Sequence, residues 1–547
     1  MMWDVLASPG PERAADYRAA GWWRDTTFLD DLARWARDRP GHPAVIGYEA
    51  GRLARTLTYA ELATMVARFA GALAERGVGR GDVVVPYLPN RWILAPPYLA
   101  CARLGAVAAP TLPALAGREL GHVLTASRAK VCVTVGSFDN VDYDLRLAQL
   151  APSTLEHRVV VGDAARTGAI DFEEFFIRTP WEERYPDPGV RAAGDDPALL
   201  VFTSGTTGQP KGVVHSQNTI FAASQSLSVP YLLTAQDVVS IPQYLTHVAA
   251  AVHAVYAPVF LGATCVTHDT NDDMNLMLDM VAAHGVSHLD AAPWYMARLL
   301  AAQRSKPRQL PSLRVLSSSS APISPQMVTE AQQVLGLPLF AVWGMTETGG
   351  CTTTGPGDPA DWAAYSDGRP MPWMQIRVDD GEQPGIGRLL VRGASLCLGY
   401  LGQPEVFAAC VDNDGWFDTG DMARDDGRGG IRITGRRADL ITRATGAKVP
   451  TSEIEGILAR HPAVAEVVLI GYPDPRMPGS DEVCAVVVPA GEPPALADLT
   501  SHLEREQVTM ENWPDRAEIF AALPKNSLGK ILRTQLRQEI EGRPAQP

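Results

Sequence analysis

Leu200-Val201-Phe202-Thr203-Ser204-Gly205-Thr206-Thr207-Gly208-Gln209-Pro210-Lys211-Gly212 is the stretch on which the reading of this chain turns. Leu200, Val201 and Phe202 have the texture of a buried strand, and they run straight into four hydroxyl side chains, two glycines and a lysine. Small residues let backbone N–H groups close on an anion, and hydroxyls add donors, so a loop of this kind suits a polyphosphate. A flexible Ser/Gly turn is the alternative for such a composition. The spacing is not that of a Walker A loop, because Pro210 stands where a glycine should precede the lysine and Gly212 follows it in place of Ser or Thr.

The chain before this stretch alternates helical and strand patterns. Thr58-Tyr59-Ala60-Glu61 has the form of a capping box and predicts a helix through Arg76, with apolar Leu62, Val66, Phe69 and Leu73 at helical spacing. Gly79-Arg80-Gly81-Asp82 turns into a β-rich run at Val83, Val84 and Val85. A helix over 98–104 follows, and the next buried strand begins in Gly105-Ala106-Val107-Ala108-Ala109. This rhythm predicts an α/β fold on a largely parallel sheet covered by helices. The strongest boundary lies near Gly435-Arg436-Arg437-Ala438-Asp439. Beyond it a small α+β unit is expected, with a helix opened by Ser452-Glu453-Ile454-Glu455, strands over 464–470 and 483–488, and a second helix over 496–507. The division is therefore 1–435 and 436–547, and the larger part must hold more than one subdomain.

Bulk properties narrow the class of function. At 547 residues the chain exceeds one hydrophobic core, and a formal net charge of −14 argues against nucleic-acid binding. Any polyanionic substrate has to be met by local positive groups. The seven cysteines are scattered without a C-x-x-C pair, which reads as reduced, buried thiols in a cytoplasmic protein. The first residues hold acids and no apolar core of a secretory signal, and the apolar stretch 93–112 is broken by Arg103 and prolines, so no membrane span is expected. Only six of the 48 basic residues are lysine (130, 211, 306, 448, 525, 530), so a lysine falls at a given position by chance about one time in a hundred.

Five segments in order resemble the acyl-adenylate-forming superfamily of acyl-CoA synthetases, peptide-synthetase adenylation domains and luciferases. They are residues 203–212, Trp343-Gly344-Met345-Thr346-Glu347, Trp416-Phe417-Asp418-Thr419-Gly420-Asp421, Gly435-Arg436, and Pro524-Lys525-Asn526-Ser527-Leu528-Gly529-Lys530. The resemblance covers nearly the whole chain and is nearest to the stand-alone acyl-CoA synthetases. It implies an adenine, phosphate and acyl site in 1–435 and a mobile lid in 436–547 that carries a catalytic lysine. Attack of a carboxylate on an α-phosphate brings two anions together, so positive groups and donors are needed where charge builds up.

On this resemblance Glu347 is the Mg²⁺ ligand, and Thr346, Thr203, Ser204, Thr206 and Thr207 hold phosphate oxygens around Gly205 and Gly208. Lys211 supports the pyrophosphate end. Trp343 offers a face to adenine, flanked by Gly344 and Met345. Ser318, Ser319, Ser320, Ala321 and Pro322 fall where the family has G-G-A-P. Asp421 accepts the ribose hydroxyls, Arg436 holds the ribose and phosphate side, and Lys530 bridges carboxylate and α-phosphate in the transition state.

Two departures stand out. The family pivots its lid at a residue that is usually Asp or Lys, and here it is Ala438. The stretch around Ala444-Thr445-Gly446 is one residue longer than usual, where Gly446 is expected to line a coenzyme A tunnel.

The acid is expected to be larger than acetate, because Gly344 stands where acetate enzymes of the family place a tryptophan. It is not expected to be an amino acid, because the stretch Pro242-Gln243-Tyr244-Leu245-Thr246-His247-Val248 holds no aspartate. His247 either lines the acyl pocket or is a satisfied buried histidine. Val248, Ala249, Val252, Ala292, Pro293 and Trp294 are the expected apolar wall, favouring a medium-sized aliphatic, alicyclic or aromatic acid. The partners implied are ATP, Mg²⁺, coenzyme A and a small carboxylic acid. A separate acyl carrier protein is the alternative acceptor, and a luciferase-like oxygenase shares only the first half-reaction.

Overall fold

Valine-rich runs bounded by glycine turns fold this chain around two large sheets. The structure, a computed structural model, describes all residues except 1, 2, 4–8, 116, 151, 188–190, 204–209, 243, 244, 271, 272, 384, 446, 447, 475–479, 526–530 and 542–547. Seven of the expected site positions (Ser204, Gly205, Thr206, Thr207, Gly208, Gly446 and Lys530) lie outside the described residues.

The first sheet has eight strands. Val83–Tyr87 and Val131–Val135 pair in parallel at its centre, and every residue of both is buried. Helices cover both faces of such strands, which is why they read as continuous apolar runs and not as alternating ones. At one edge Pro197–Thr203, Lys211–Ser216 and Gly399–Tyr400 pair antiparallel. The second sheet has nine strands, with a parallel centre of Thr264–His268, Val238–Ser240, His288–Asp290, Val315–Ser318 and Leu339–Met345. Its edge turns back antiparallel through Gly349–Thr353.

Helix Tyr59–Glu75 starts where the capping box put it. Thr58 Oγ1 accepts from the Glu61 amide at 3.3 Å, and the Thr58 amide donates to Glu61 Oε2 at 2.8 Å. Leu62, Val66, Phe69 and Leu73 form its buried stripe. The apolar stretch 93–112 is the buried helix Ala95–Leu104 and strand Val107–Ala108. No helix among the described residues is long and apolar enough to cross a membrane.

A four-stranded antiparallel sheet (Met374–Gln383, Ile386–Gly393, Phe417–Asp425, Ile431–Arg436) follows. After the single 3-10 turn Arg437–Asp439 comes the small unit. Its sheet, Val464–Pro473, Asp481–Pro489 and Arg516–Ile519, is flanked by helices Thr451–Leu458, Leu496–Arg505 and Arg533–Glu541. The apolar clusters on its two faces contain no residue before Ile441. The helix expected over 496–507 stops at Arg505 because Gln507 takes a left-handed turn at φ +58°.

One expectation about the cysteines is corrected. Six thiols are buried, but Cys410 is half-exposed, because it follows the short surface helix Pro404–Ala408, where its Sγ contacts the Val406 carbonyl at 3.3 Å.

Thr58→Ala removes one cap acceptor and is expected to cost about 1 kcal/mol of stability, read as a lower urea midpoint with unchanged slope.

Candidate active site

The strands on either side of the phosphate-loop candidate, Pro197–Thr203 and Lys211–Ser216, pair antiparallel in the eight-stranded sheet, with Thr203 opposite Lys211 as their last described pair. The base of the loop is fixed from the side, where His122 Nε2 donates to the Pro210 carbonyl at 3.2 Å. Lys211 Nζ lies 4.8 Å from the ring centre of Tyr400, which occupies the neighbouring strand opposite Val213. A cation over a tyrosine face is held by the ring quadrupole without an ion pair that would cancel its charge.

Tyr400 carries that contact on to the next motif. Its hydroxyl donates to Glu347 Oε1 at 2.8 Å, and the Cys397 amide donates to the Glu347 carbonyl at 2.7 Å. Burial, then the neighbouring Glu347 carboxylate, pushes the Tyr400 phenol far above its ordinary pKa, so it stays a donor. His215 holds the residue before. Its Nε2 donates to the Thr346 carbonyl at 2.7 Å, and burial pushes its pKa down to about 4. A carbonyl can only accept, so the tautomer is set by the bond. Thr346 and Glu347 are both buried.

Glu347 is thus a single buried carboxylate held by a phenol, and no group of three or more His, Cys, Asp or Glu side chains suited to a metal occurs among the described residues. One carboxylate fits Mg²⁺, which keeps most of its shell for phosphate and water, and does not fit a metal caged wholly by protein.

Trp343 pairs with Thr352 and is half-buried, with a residual face in contact with solvent. Gly344 is exposed, and a Cβ there would lie 2.0 Å from the Gly349 carbonyl oxygen. The glycine is therefore demanded by the tight return of the hairpin. That is a stronger reason for it than space for a large acyl group. Ser320, Ala321 and Pro322 are exposed at the end of strand Val315–Ser318, and Ser320 takes φ +76°. A side chain in the left-handed region is strained, so this serine holds a backbone shape that glycine adopts freely.

Asp421 and Arg436 sit opposite each other on paired strands, with Arg436 Nε 2.7 Å from Asp421 Oδ1. The two residues expected at the ribose are thus brought together as an ion pair. Around Ala438 the neighbours are anchored in opposite directions. Arg437 Nη1 bonds Asp418 Oδ2 at 2.6 Å on the preceding sheet, and Asp439 Oδ2 lies 3.7 Å from Arg533 Nε in the small unit. Arg533 is itself clamped by Glu455 at 2.8 and 3.0 Å and donates to the Leu469 carbonyl at 2.7 Å. It stands three residues after Lys530. The lengthened loop is pinned through Arg443, whose Nε donates to the Glu511 carbonyl at 3.0 Å, and through Thr445, which bonds the Glu511 carboxylate.

On the acyl side, Val248, Val252, Ala292 and Pro293 are buried, and His247 is half-buried with its pKa lowered by desolvation. Trp294 is corrected. It is 43% exposed, on the outer face of helix Pro293–Ser305, so it is not part of a buried wall. Sequence reasoning missed Tyr400, His215 and Asp418 as site residues. Their roles come from partners that lie 131 residues away for His215, 53 for Tyr400 and 19 for Asp418, which spacing alone does not reveal.

Ser320→Gly is expected to raise stability by about 1 kcal/mol, read by calorimetry. The buried imidazoles set an acid limit. His215 and His268 have pKa values of about 4 in the fold against 6.5 in the free chain, so below pH 6.5 the unfolded state binds more protons. Stability is complete above that pH and falls as pH drops toward 4, by ~1.4 kcal/mol per pH unit for each ring. Urea midpoints should fall steadily from pH 7 to pH 5, and a flat profile would show that these rings are not buried neutral.

Residues 32–401 match the AMP-binding enzyme family, and residues 453–530 match the AMP-binding enzyme C-terminal domain. The chain is 30% identical over 541 residues to the medium-chain fatty-acid–CoA ligase of Escherichia coli (strain K12), covering 97% of this chain and 93% of that one. It is 32% identical over 559 residues to the salicyl-AMP ligase / salicyl-S-ArCP synthetase of Mycobacterium tuberculosis (strain ATCC 25618 / H37Rv), again covering 97% and 93%. Its fold resembles that of the anthranilate CoA ligase AuaEII, solved in complex with anthranoyl-AMP, with a TM-score of 0.83 and 23% identity over 94% of this chain and 98% of that one. The chain belongs to the AMP-binding enzyme family.

Proposed function

We propose that this enzyme is an AMP-forming acyl-CoA synthetase acting on a medium-sized aliphatic, alicyclic or aromatic carboxylic acid. ATP and the acid form an acyl-adenylate and pyrophosphate, and the thiol of coenzyme A then displaces AMP. The observation that carries this reading is the run Lys211–Tyr400–Glu347, which sets a cation and a buried carboxylate beside the base of a glycine- and hydroxyl-rich hairpin. Mg²⁺, held by Glu347 and the phosphates, would neutralise charge on the leaving pyrophosphate. Lys530 would bridge the carboxylate and the α-phosphate, with Asp421 and Arg436 at the ribose and Trp343 with 320–322 at adenine. The small unit, residues 436–547, would then pivot at Ala438, withdraw Lys530 and admit the thiol past Gly446. Its place of action would be the cytoplasm, where its free thiols stay reduced.

The names of two relatives favour acids of this size, one a medium-chain fatty acid and the other salicylate. The second also names a carrier-protein thioester, and that favours a second reading in which the acceptor is a separate acyl carrier protein.

Lys530→Ala is expected to abolish pyrophosphate release from ATP and acid while sparing thioester formation from supplied acyl-AMP. Equal loss of both half-reactions would sink the alternation of the lid. A panel of carboxylic acids assayed for AMP with and without CoA separates the two acceptors. AMP release that a carrier protein accelerates and CoA does not would move the assignment to the carrier-loading reading.

A further inference from the structure

Below the exposed turn at Ser320, a buried polar network plays no part in adenylate formation as described so far. Strands His288–Asp290 and Val315–Ser318 run parallel, with Asp290 opposite Ser317, so both end at one edge of the nine-stranded sheet. Ligands of open α/β sheets bind beyond that edge. Asp290 accepts hydroxyl protons from Ser317 at 2.7 Å and from Ser319 at 3.2 Å. A serine has one proton to give, so Ser317 Oγ must accept from His288 Nε2, 2.9 Å away.

His288 is therefore the Nε2–H tautomer, and its Nδ1 is a bare acceptor. That atom is buried and has no hydrogen-bond partner among the described residues. Tyr231 covers the ring at 5.6 Å, and His253 stands edge-on at 6.2 Å. His253 Nε2 meets Ser226 Oγ at 3.1 Å, while its own Nδ1 is likewise buried without a partner. Desolvation lowers the pKa of both rings, that of His288 well below its ordinary value, so protonation does not occupy the acceptor near neutral pH. An unmade buried hydrogen bond costs ~1–3 kcal/mol, and two side by side need a reason.

Their place in the fold supplies one. His253 lies in the widened π turn Val252–Tyr256, which continues the helix Val248–Ala251 that starts after His247. Asp290 comes two residues before Ala292. The 6.2 Å ring contact thus joins a residue next to each of the two segments expected to line the acyl group, and π turns recur at functional positions.

We propose that the acid activated by this enzyme carries a hydroxyl group on its acyl part, which donates its proton to Nδ1 of His288 beside the ring of His253. This rests on the acyl-adenylate reading above and adds the substrate class. An acyl O–H supplies the donor that the tautomer of His288 lacks. A plain hydrocarbon acid leaves both nitrogens unpaired, and a second carboxylate has no proton to give and faces the Asp290 carboxyl.

The test is pyrophosphate release in the presence of CoA for matched acids: benzoate against its monohydroxy isomers, octanoate against hydroxyoctanoates, and suberate as a dicarboxylate. At least one hydroxylated isomer is expected to exceed its parent about tenfold or more in kcat/KM, with suberate below octanoate. In His288→Phe, and in Ser317→Ala, which frees the tautomer, that ratio falls toward one. Ser317→Ala keeps the test alive if the bulkier change does not fold. Equal kcat/KM across every pair in the unaltered chain overturns the inference and leaves adenylate formation standing. A preference that survives in both variants overturns the assignment to these rings, and no pyrophosphate from any acid overturns adenylate formation as well.

Discussion

A hydrogen bond from one neutral imidazole joins the two large sheets at the reactive edge. His215 belongs to the strand Lys211–Ser216 of the eight-stranded sheet, and the Thr346 carbonyl it holds follows the strand Leu339–Met345 of the nine-stranded sheet. Tyr400 makes the same crossing one residue further on, from the eight-stranded sheet to Glu347. Together with the bond from the Cys397 amide to the Glu347 carbonyl, these two bonds fix the carboxylate proposed above to hold Mg²⁺. Charge-bearing residues at a reacting phosphate have to be set within a fraction of an ångström, and a rigid frame supplies that better than loop contacts do.

The frame also explains why an acidic chain can handle ATP. The global charge is −14, so attraction has to be local. Lys211 is kept over a tyrosine face and Arg436 beside a buried aspartate, both at the ends of strands. Across the turn at Ala438, Arg437 is tied to the four-stranded sheet and Asp439 to Arg533 in the small unit. The residues on either side of Ala438 are thus tied to different sheets by their side chains.

The acyl side follows a different rule. The valines and alanines expected around the acyl group are mostly buried, and close to them in the chain lies a buried network of histidine, serine and aspartate. Buried polar groups of this kind either pair completely or mark a ligand, because the low dielectric that strengthens a made bond penalises an unmade one.

The order of five motifs, the capping box at Thr58 and the valine runs were all legible in the chain itself. Each rests on local chemistry, such as a period of burial, a cap or a small-residue loop, that short stretches carry without help. The α/β class follows from that chemistry, whereas the family, and with it Glu347, Asp421 and Arg436 as candidates, rests on the resemblance that the five ordered motifs carry. Trp294 misled because its outward position on a helix is set by packing, and the carbonyl five residues away that demands a glycine at 344 shows only once the hairpin is closed. Tyr400, His215 and the His288–Asp290 network could be found only in three dimensions. Their meaning lies in bonds across sheets and between distant strands, and one-dimensional spacing does not encode which strand ends become neighbours.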